Sequence, residues 1–337
     1  MGGGTYERDV YSGSSSSSWG SSSYATQRLS STRLDPSLLP NGKILRSNSK
    51  TPIIIVLDVT GSNIEFAKVV YDKMPMFYGQ IEQQGYLKDF DISFCAVGDA
   101  FTDSYPMQIC DFAKGIVLDS YLEKLVLEGN GGGQKMESYE LMAYYLYKNT
   151  SFAPGSEPII FFIGDEAPYP YTDEDQAKDF GIEIEEYARL HPFECLRKKV
   201  NDNVFCLLNK YCGDRFESSI THTWENMLAP EHVIKIKEEK SVVDLMLGVI
   251  SMKSGSRTLA GYIGDMQGRN QTEKRIENVK GSLEKLSQTI LPAVVKGNVP
   301  MMFDDKKPSG SGRRIWLKKE RDAKIRISFL CATRGRF

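Results

Sequence analysis

Six short apolar stretches punctuate the chain between residues 52 and 236. The first, Pro52-Ile53-Ile54-Ile55-Val56-Leu57-Asp58, has no polar side chain before its last position. A run of β-branched and aliphatic residues bounded by Pro52 and Gly61 predicts a strand buried on both faces. Pro158-Ile159-Ile160-Phe161-Phe162-Ile163-Gly164 repeats that character and is followed by Asp165. Residues 91–98, 106–112, 203–209 and 232–236 supply four further candidate strands. Mixed apolar and polar stretches between them predict helices that start near Asn63, Lys114, Met136, Glu174, Phe216 and Ser241. Strands alternating with amphipathic helices predict an α/β domain, a Rossmann-like doubly wound and mostly parallel sheet flanked by helices. Ligands bind such sheets beyond the carboxyl ends of the strands. Asp58 and Asp165 both fall there.

The pattern weakens on either side. Residues 1–50 read as a tail, and Ser12 to Ser23 is almost entirely Ser and Gly around Trp19. So little apolar area does not offset the entropy of ordering, so disorder is the expectation. The alternating region spans 51–253. A helical extension follows over 254–295, where Gly261 to Leu291 reads as one helix with Leu283, Leu286 and Ile290 on an apolar stripe. Residues 296–337 form a basic tail.

Composition places limits on the class. The 337 residues are 41% hydrophobic and 26% charged, as in ordinary globular proteins. No apolar run approaches the roughly 20 residues of a membrane span, and the N-terminus lacks the apolar segment of a secretory signal. A cytoplasmic protein without a membrane partner is expected. The near-neutral net charge of -2 hides an asymmetry, because residues 296–337 hold 12 Lys or Arg against 4 Asp or Glu. Arg313-Arg314-Ile315-Trp316, followed by Lys318-Lys319, is a single basic-aromatic patch, which is weak evidence for nucleic-acid binding. A solvated or self-docked tail is the expectation. The six cysteines lack zinc-site spacing and read as buried free thiols.

The chemistry concentrates at the end of the first strand. Asp58, Thr60 and Ser62 deliver one carboxylate and two hydroxyls to one place, a set that suits a hard cation such as Mg²⁺. Few protein charges leave a coordination position open to an outside carboxylate. Asp58-Val59-Thr60-Gly61-Ser62 resembles the first metal motif of the von Willebrand factor A domain family. The strands around Ala96-Val97-Gly98-Asp99 and Ile109-Cys110-Asp111-Phe112, the loop Gly129-Asn130-Gly131-Gly132-Gly133, the stretch Gly164-Asp165-Glu166 and Trp224-Glu225-Asn226-Met227 follow in the family's order.

That resemblance, over roughly residues 51 to 253, implies a metal-ion-dependent adhesion site. It implies direct ligation by Thr60 and Ser62, with Asp58 acting directly or through water and Asp165 through water. The ion implied is Mg²⁺, or Mn²⁺ or Ca²⁺. The partner implied is a protein offering Asp or Glu to the metal, as in adaptors of ATPase-containing assemblies. The chain departs from the family after the glycines, where Gln134 stands in place of Thr or Asp. Its carbonyl is a neutral, weaker ligand, and Glu137 or Ser138 stands as a substitute. The first motif also resembles the Asp-Lys-Thr-Gly-Thr segment of haloacid-dehalogenase-like phosphohydrolases. In that alternative Asp58 is a nucleophile assisted by Mg²⁺. Position 60 offers no acid for a leaving group, so a non-enzymatic binding protein is the preferred expectation.

Overall fold

Residues 34–128, 135–211 and 215–290 are described by the computed structural model. The Ser/Gly-rich stretch, the glycine loop with Gln134, and the basic segment 296–337 lie outside the described residues. The strands are β1 (Leu45–Ser47), β2 (Thr51–Asp58), β3 (Phe90–Val97), β4 (Met107–Ile109), β5 (Met136–Glu137), β6 (Thr150–Phe152), β7 (Ile159–Gly164), β8 (Ala167–Pro168), β9 (Val204–Leu208) and β10 (Val233–Lys235). The helices are α1 (Ile64–Gln84), α2 (Val117–Leu122), α3 (Tyr139–Asn149), α4 (Glu174–Asp179), α5 (Glu186–Leu190), α6 (Pro192–Lys199), α7 (Glu217–Met227), α8 (Val242–Lys253), α9 (Leu259–Gly268) and α10 (Glu273–Thr289).

The six strands expected from apolar runs make up the central sheet, in the order β10-β9-β7-β2-β3-β4. All pairings are parallel except β3 with β4, which is antiparallel. The chain runs outward from β2 through β3 to β4. It then returns to the other side of β2 and runs outward again through β7, β9 and β10. The order therefore reverses between β2 and β7, and a crevice opens beyond the carboxyl ends of strands at such a reversal.

Strand periodicity decides what fills each face. Ile53, Ile55 and Leu57 pack with Phe161, Ile163, Phe205 and Leu207 against α1 and α8 residues such as Val70, Phe77, Leu245 and Val249. Ile54 and Val56 point the other way, packing with Ile160, Phe162 and Cys206 against Tyr144, Leu196 and Trp224. With both faces covered, these strands read as unbroken apolar runs rather than alternating ones.

Three local expectations change. Met136 does not open a helix. Met136 and Glu137 pair in parallel with Ala167 and Pro168, and α3 begins only at Tyr139. Within the stretch expected to be one helix, the described residues to Ile290 form two, broken where Asn270 takes a positive φ of 56° and Thr272 caps α10 by accepting from Arg275 N–H. Residues 34–50, read as tail, include a 3₁₀ turn at Pro36–Leu38 and the strand β1 beside β6. Among the described residues no helix is long and apolar enough to cross a membrane.

Helices α9 and α10 share the core of the sheet. Leu283 is fully buried in the same cluster as α8, and Asp244 of α8 pairs with Arg269 and Arg275 at 3.4 and 3.0 Å. Leu283→Ala is expected to cost about 2–5 kcal/mol of unfolding free energy, as a core truncation does. Urea unfolding monitored by circular dichroism checks it. A cost below ~0.5 kcal/mol would mean that α10 is a loosely attached appendage.

Candidate metal centre

Parallel pairing of β2 and β7, with Leu57 opposite Ile163, brings the ends of both strands to one place. Asp58 closes β2, and Gly164 closes β7 just before Asp165 and Glu166. Asp58 has no exposed surface. Its Oδ1 accepts from Thr60 N–H at 2.9 Å and from the Thr60 hydroxyl at 2.6 Å, while Oδ2 accepts from the Tyr139 hydroxyl at 2.6 Å. Asn63 Nδ2 donates to the Asp58 carbonyl at 3.2 Å and holds the turn into α1.

This arrangement assigns Asp58 a directing role. Because Thr60 directs its proton to Asp58, the lone pairs on Thr60 Oγ1 remain available to a cation. Thr60 Oγ1 lies 3.4 Å from Ser62 Oγ, which in turn lies 3.2 Å from Asp165 Oδ1. One hydroxyl from each of two alternate residues and one carboxylate from the neighbouring strand end thus form a corner of three oxygens. The spacing Asp58, Thr60, Ser62 was readable in sequence, and so was Asp165. Gln134 lies outside the described residues.

By sequence alone Tyr139 is one of several tyrosines on a helix, for which core packing is the default expectation. It reaches Asp58 because residue 164 is glycine. A Cβ there would overlap the Tyr139 hydroxyl and lie 3.0 Å from Asp58 Cβ. The Tyr139 ring is set edge-on to Phe162 and Trp224, with centroids 6.3 and 5.2 Å away. Trp224 Nε1 donates to the Glu166 carbonyl at 2.8 Å, so the same aromatic block fixes the turn after β7. Sequence offered one signal for this role, a Tyr six residues past the last glycine of the loop. Four tyrosines on one helix masked it.

Two further acids face the same region. Glu137 and Glu166 are 2% and 4% exposed, and the Oε2 of each has no hydrogen-bond partner. Burial, then the Asp58 charge, then Glu166 push the Glu137 carboxyl far above its usual range. Burial first and Asp58 second raise Asp165 to about 8 and Glu166 to about 7. Burial also raises Asp58, against the hydrogen bonds from Thr60 and Tyr139. Asp99 and Ser138 are engaged in a loop instead. Asp99 accepts from Phe101 N–H, the Thr102 hydroxyl and the Tyr169 hydroxyl at 3.1–3.2 Å, and Ser138 Oγ accepts from Ala100 N–H at 2.9 Å.

The donor set fits a hard divalent cation, since every ligand atom on offer is oxygen and two buried carboxylate oxygens lack partners. Among the described residues, no three His, Cys, Asp or Glu side chains converge closely enough to hold an ion by themselves.

No protein-family model matches the chain, and a search of curated proteins finds no match. Solved structures it is similar to include the pilus adhesin SpaC from Lactobacillus rhamnosus GG in an open conformation. That likeness has a TM-score of 0.44 at 12% identity, covering 63% of this chain and 31% of the adhesin. Another is proximal thread matrix protein 1 from the mussel byssus, with a TM-score of 0.38 at 10% identity, covering 61% of this chain and 49% of the other. The chain thus spans about a third to a half of these structures.

Two outcomes follow from the geometry. Tyr139→Phe leaves Asp58 Oδ2 buried without its donor and is expected to cost about 1–3 kcal/mol in chelator-treated protein, read by urea unfolding. A variant as stable as the wild type would show that this bond is dispensable. In metal-free protein the folded chain also keeps protons on Asp165 and Glu166 that the unfolded chain, with ordinary values of 3.8 and 4.5, has released. Stability from this source is full below about pH 4, falls as pH rises, and levels off above the folded values near 7 to 8. Glu166→Gln is expected to flatten part of that fall in a series of melting curves from pH 4.5 to 8.5. An unchanged profile would rule out Glu166 as a contributor.

Proposed function

We propose that this chain is a cation-dependent binding module of the von Willebrand factor A type, whose ion at the junction of β2 and β7 bridges to an Asp or Glu of a protein partner. The observation that carries this reading is the oxygen corner of Thr60, Ser62 and Asp165, aligned from behind by Asp58. When bound, a divalent ion supplies a Lewis-acid contact for a carboxylate. Thr60 and Ser62 bind it through hydroxyl oxygens whose orientation Asp58 sets. Asp165 contributes charge from the adjacent strand end. The loops that follow β3 and β8 offer apolar area, since Phe101 is 60% and Tyr171 50% exposed, and the Phe101 ring lies edge-on to Tyr169 at 5.2 Å. Binding through the ion would thereby be reinforced by aromatic contact around it.

The phosphohydrolase alternative needs Asp58 to attack phosphorus. Both of its oxygens are engaged in hydrogen bonds and none of its surface is accessible, an arrangement suited to positioning a neighbour rather than to attack. Calorimetric titration of the full chain with Mn²⁺ and Mg²⁺ is expected to give saturable binding that Ser62→Ala and Asp165→Asn abolish without loss of the folded transition. Absence of binding in the wild type would sink the reading. In a second arm, a partner held on the immobilised chain should be released both by EDTA and by the Ser62→Ala change. Retention in the chelator would count against an ion bridge.

A further inference from the structure

The geometry points to a second ligand site at the opposite end of the sheet, one that takes a small phosphorylated organic molecule. It does not depend on the cation-site reading above.

A cavity of about 330 Å³ opens at the amino ends of β2, β7 and β9, where Thr51, Ile159 and Asn203 line it, and volumes of this order hold small-molecule ligands. The rest of its wall comes from the turn after α1, the residue before β2, and the end of α8 with the link to α9. Main-chain bonds tie these pieces together. Thr51 N–H donates to the Asp89 carbonyl at 3.1 Å, Glu157 N–H to the Lys50 carbonyl at 2.8 Å, and Ile160 N–H to the Asn203 carbonyl at 2.9 Å. Arg257 Nη2 donates to the Gln84 carbonyl at 3.2 Å and joins the α8–α9 link to the end of α1. The cavity is therefore preformed.

Its charge selects an anion. Lys50, Lys88 and Lys253 all line it, and none of their ammonium groups has a hydrogen bond or ion pair among the described residues. Burial lowers the Lys253 ammonium below its ordinary range, with Asp202 and Glu157 opposing that shift. Of the two carboxylates in the wall, Asp89 is already engaged, by Lys114 at 3.1 Å and by Lys50 N–H at 3.0 Å. Glu157 is left as one negative charge against three positive ones. Nor do the lysines serve to close the two helices that end here. Gly85 and Tyr86 N–H close α1 on the Glu82 and Ile81 carbonyls, and Ser254 and Gly255 N–H close α8 on those of Ile250 and Met252.

Asn203 supplies an independent observation. It is 7% exposed, its Oδ1 is buried without a partner, and its side chain makes no hydrogen bond among the described residues. A buried amide left unpaired costs free energy, and its NH₂ is a donor that a phosphoryl oxygen accepts. Three ammonium groups and an amide donor suit a dianionic phosphoryl group better than the single charge of a carboxylate. Leu87 and Ile159 add an apolar wall for the organic part.

Calorimetric titration of the full chain in EDTA, at constant ionic strength, with inorganic phosphate, glycerol phosphate and acetate tests the inference. Both phosphates are expected to saturate with a Kd of about 1 mM or tighter, glycerol phosphate the tighter of the two, and acetate at least about tenfold weaker. Lys253→Gln, Lys88→Gln and Asn203→Ala should each weaken glycerol phosphate by about threefold to tenfold. Asp165→Asn and Lys198→Gln, the latter at an exposed lysine of α6, should leave it unchanged. Melting curves confirm that each variant folds, and the exposed Lys88 keeps the test decisive if the Asn203 variant does not. Absence of saturable phosphate binding overturns the inference. So do acetate bound as tightly as phosphate, glycerol phosphate bound more weakly than inorganic phosphate, affinity untouched by both Lys253→Gln and Lys88→Gln, or an equal loss in Lys198→Gln.

Discussion

The Tyr139 hydroxyl donates to Asp58 Oδ2 at 2.6 Å in a region sealed from solvent, and the surrounding parts are shaped by that contact. A buried carboxylate without donors is strongly disfavoured. Asp58 has three, two from Thr60 and one from Tyr139. Providing the third requires a glycine at 164, because any side chain there would occupy the path of the hydroxyl. It also requires that α3 start at Tyr139 rather than at Met136. The β5–β8 pair sets that start, by holding Met136 and Glu137 in extended conformation beside Ala167 and Pro168. Trp224 closes the block by packing on the Tyr139 ring and donating to the Glu166 carbonyl. One hydrogen bond thereby joins elements from β2, β7, α3 and α7.

The sheet makes such a group of acids possible. With β2 and β7 covered on both faces, their carboxyl ends are the places where polar side chains leave the core, and the reversal of strand order leaves no crossover above them. Asp58 and Asp165 occupy adjacent strand ends, so their mutual repulsion is unavoidable, and Glu137 and Glu166 add to it. Burial first, and neighbouring charges second, hold all four carboxyls above their usual range, which favours their protonated forms. The stability that two dry apolar faces supply to the sheet is what lets the fold carry this local cost.

Much of the scaffold was legible because burial on both faces produces continuous apolar strands, and all six such runs became strands of the central sheet. The corner was legible for a different reason, since Asp58, Thr60 and Ser62 lie at alternate positions just past a strand and Asp165 lies in the equivalent place on another. Tyr139, Glu137 and Glu166 were not legible as a unit. Their roles depend on Gly164 being open to a side chain 25 residues earlier in the chain, a through-space relation with no local pattern. Pairs as short as β5 with β8 have no periodicity to detect. The break between α9 and α10 rests on one left-handed residue, Asn270, in an otherwise helical stretch.

The substitution of Gln134 for the Thr or Asp of the resembled motif takes on a different meaning beside these contacts. A neutral amide after the glycine loop removes one oxygen of charge or hydroxyl character from that position. Glu137, three residues on, and Glu166, next to Asp165, bring two carboxylates to the same region. The acidic character of this region therefore lies on β5 and on the turn after β7. Trp224 holds the second of these segments by donating to the Glu166 carbonyl and packing on the Tyr139 ring. Burial first and mutual repulsion second keep the carboxyls of Glu137, Asp165 and Glu166 above their usual range, a local cost that the apolar faces of the sheet offset.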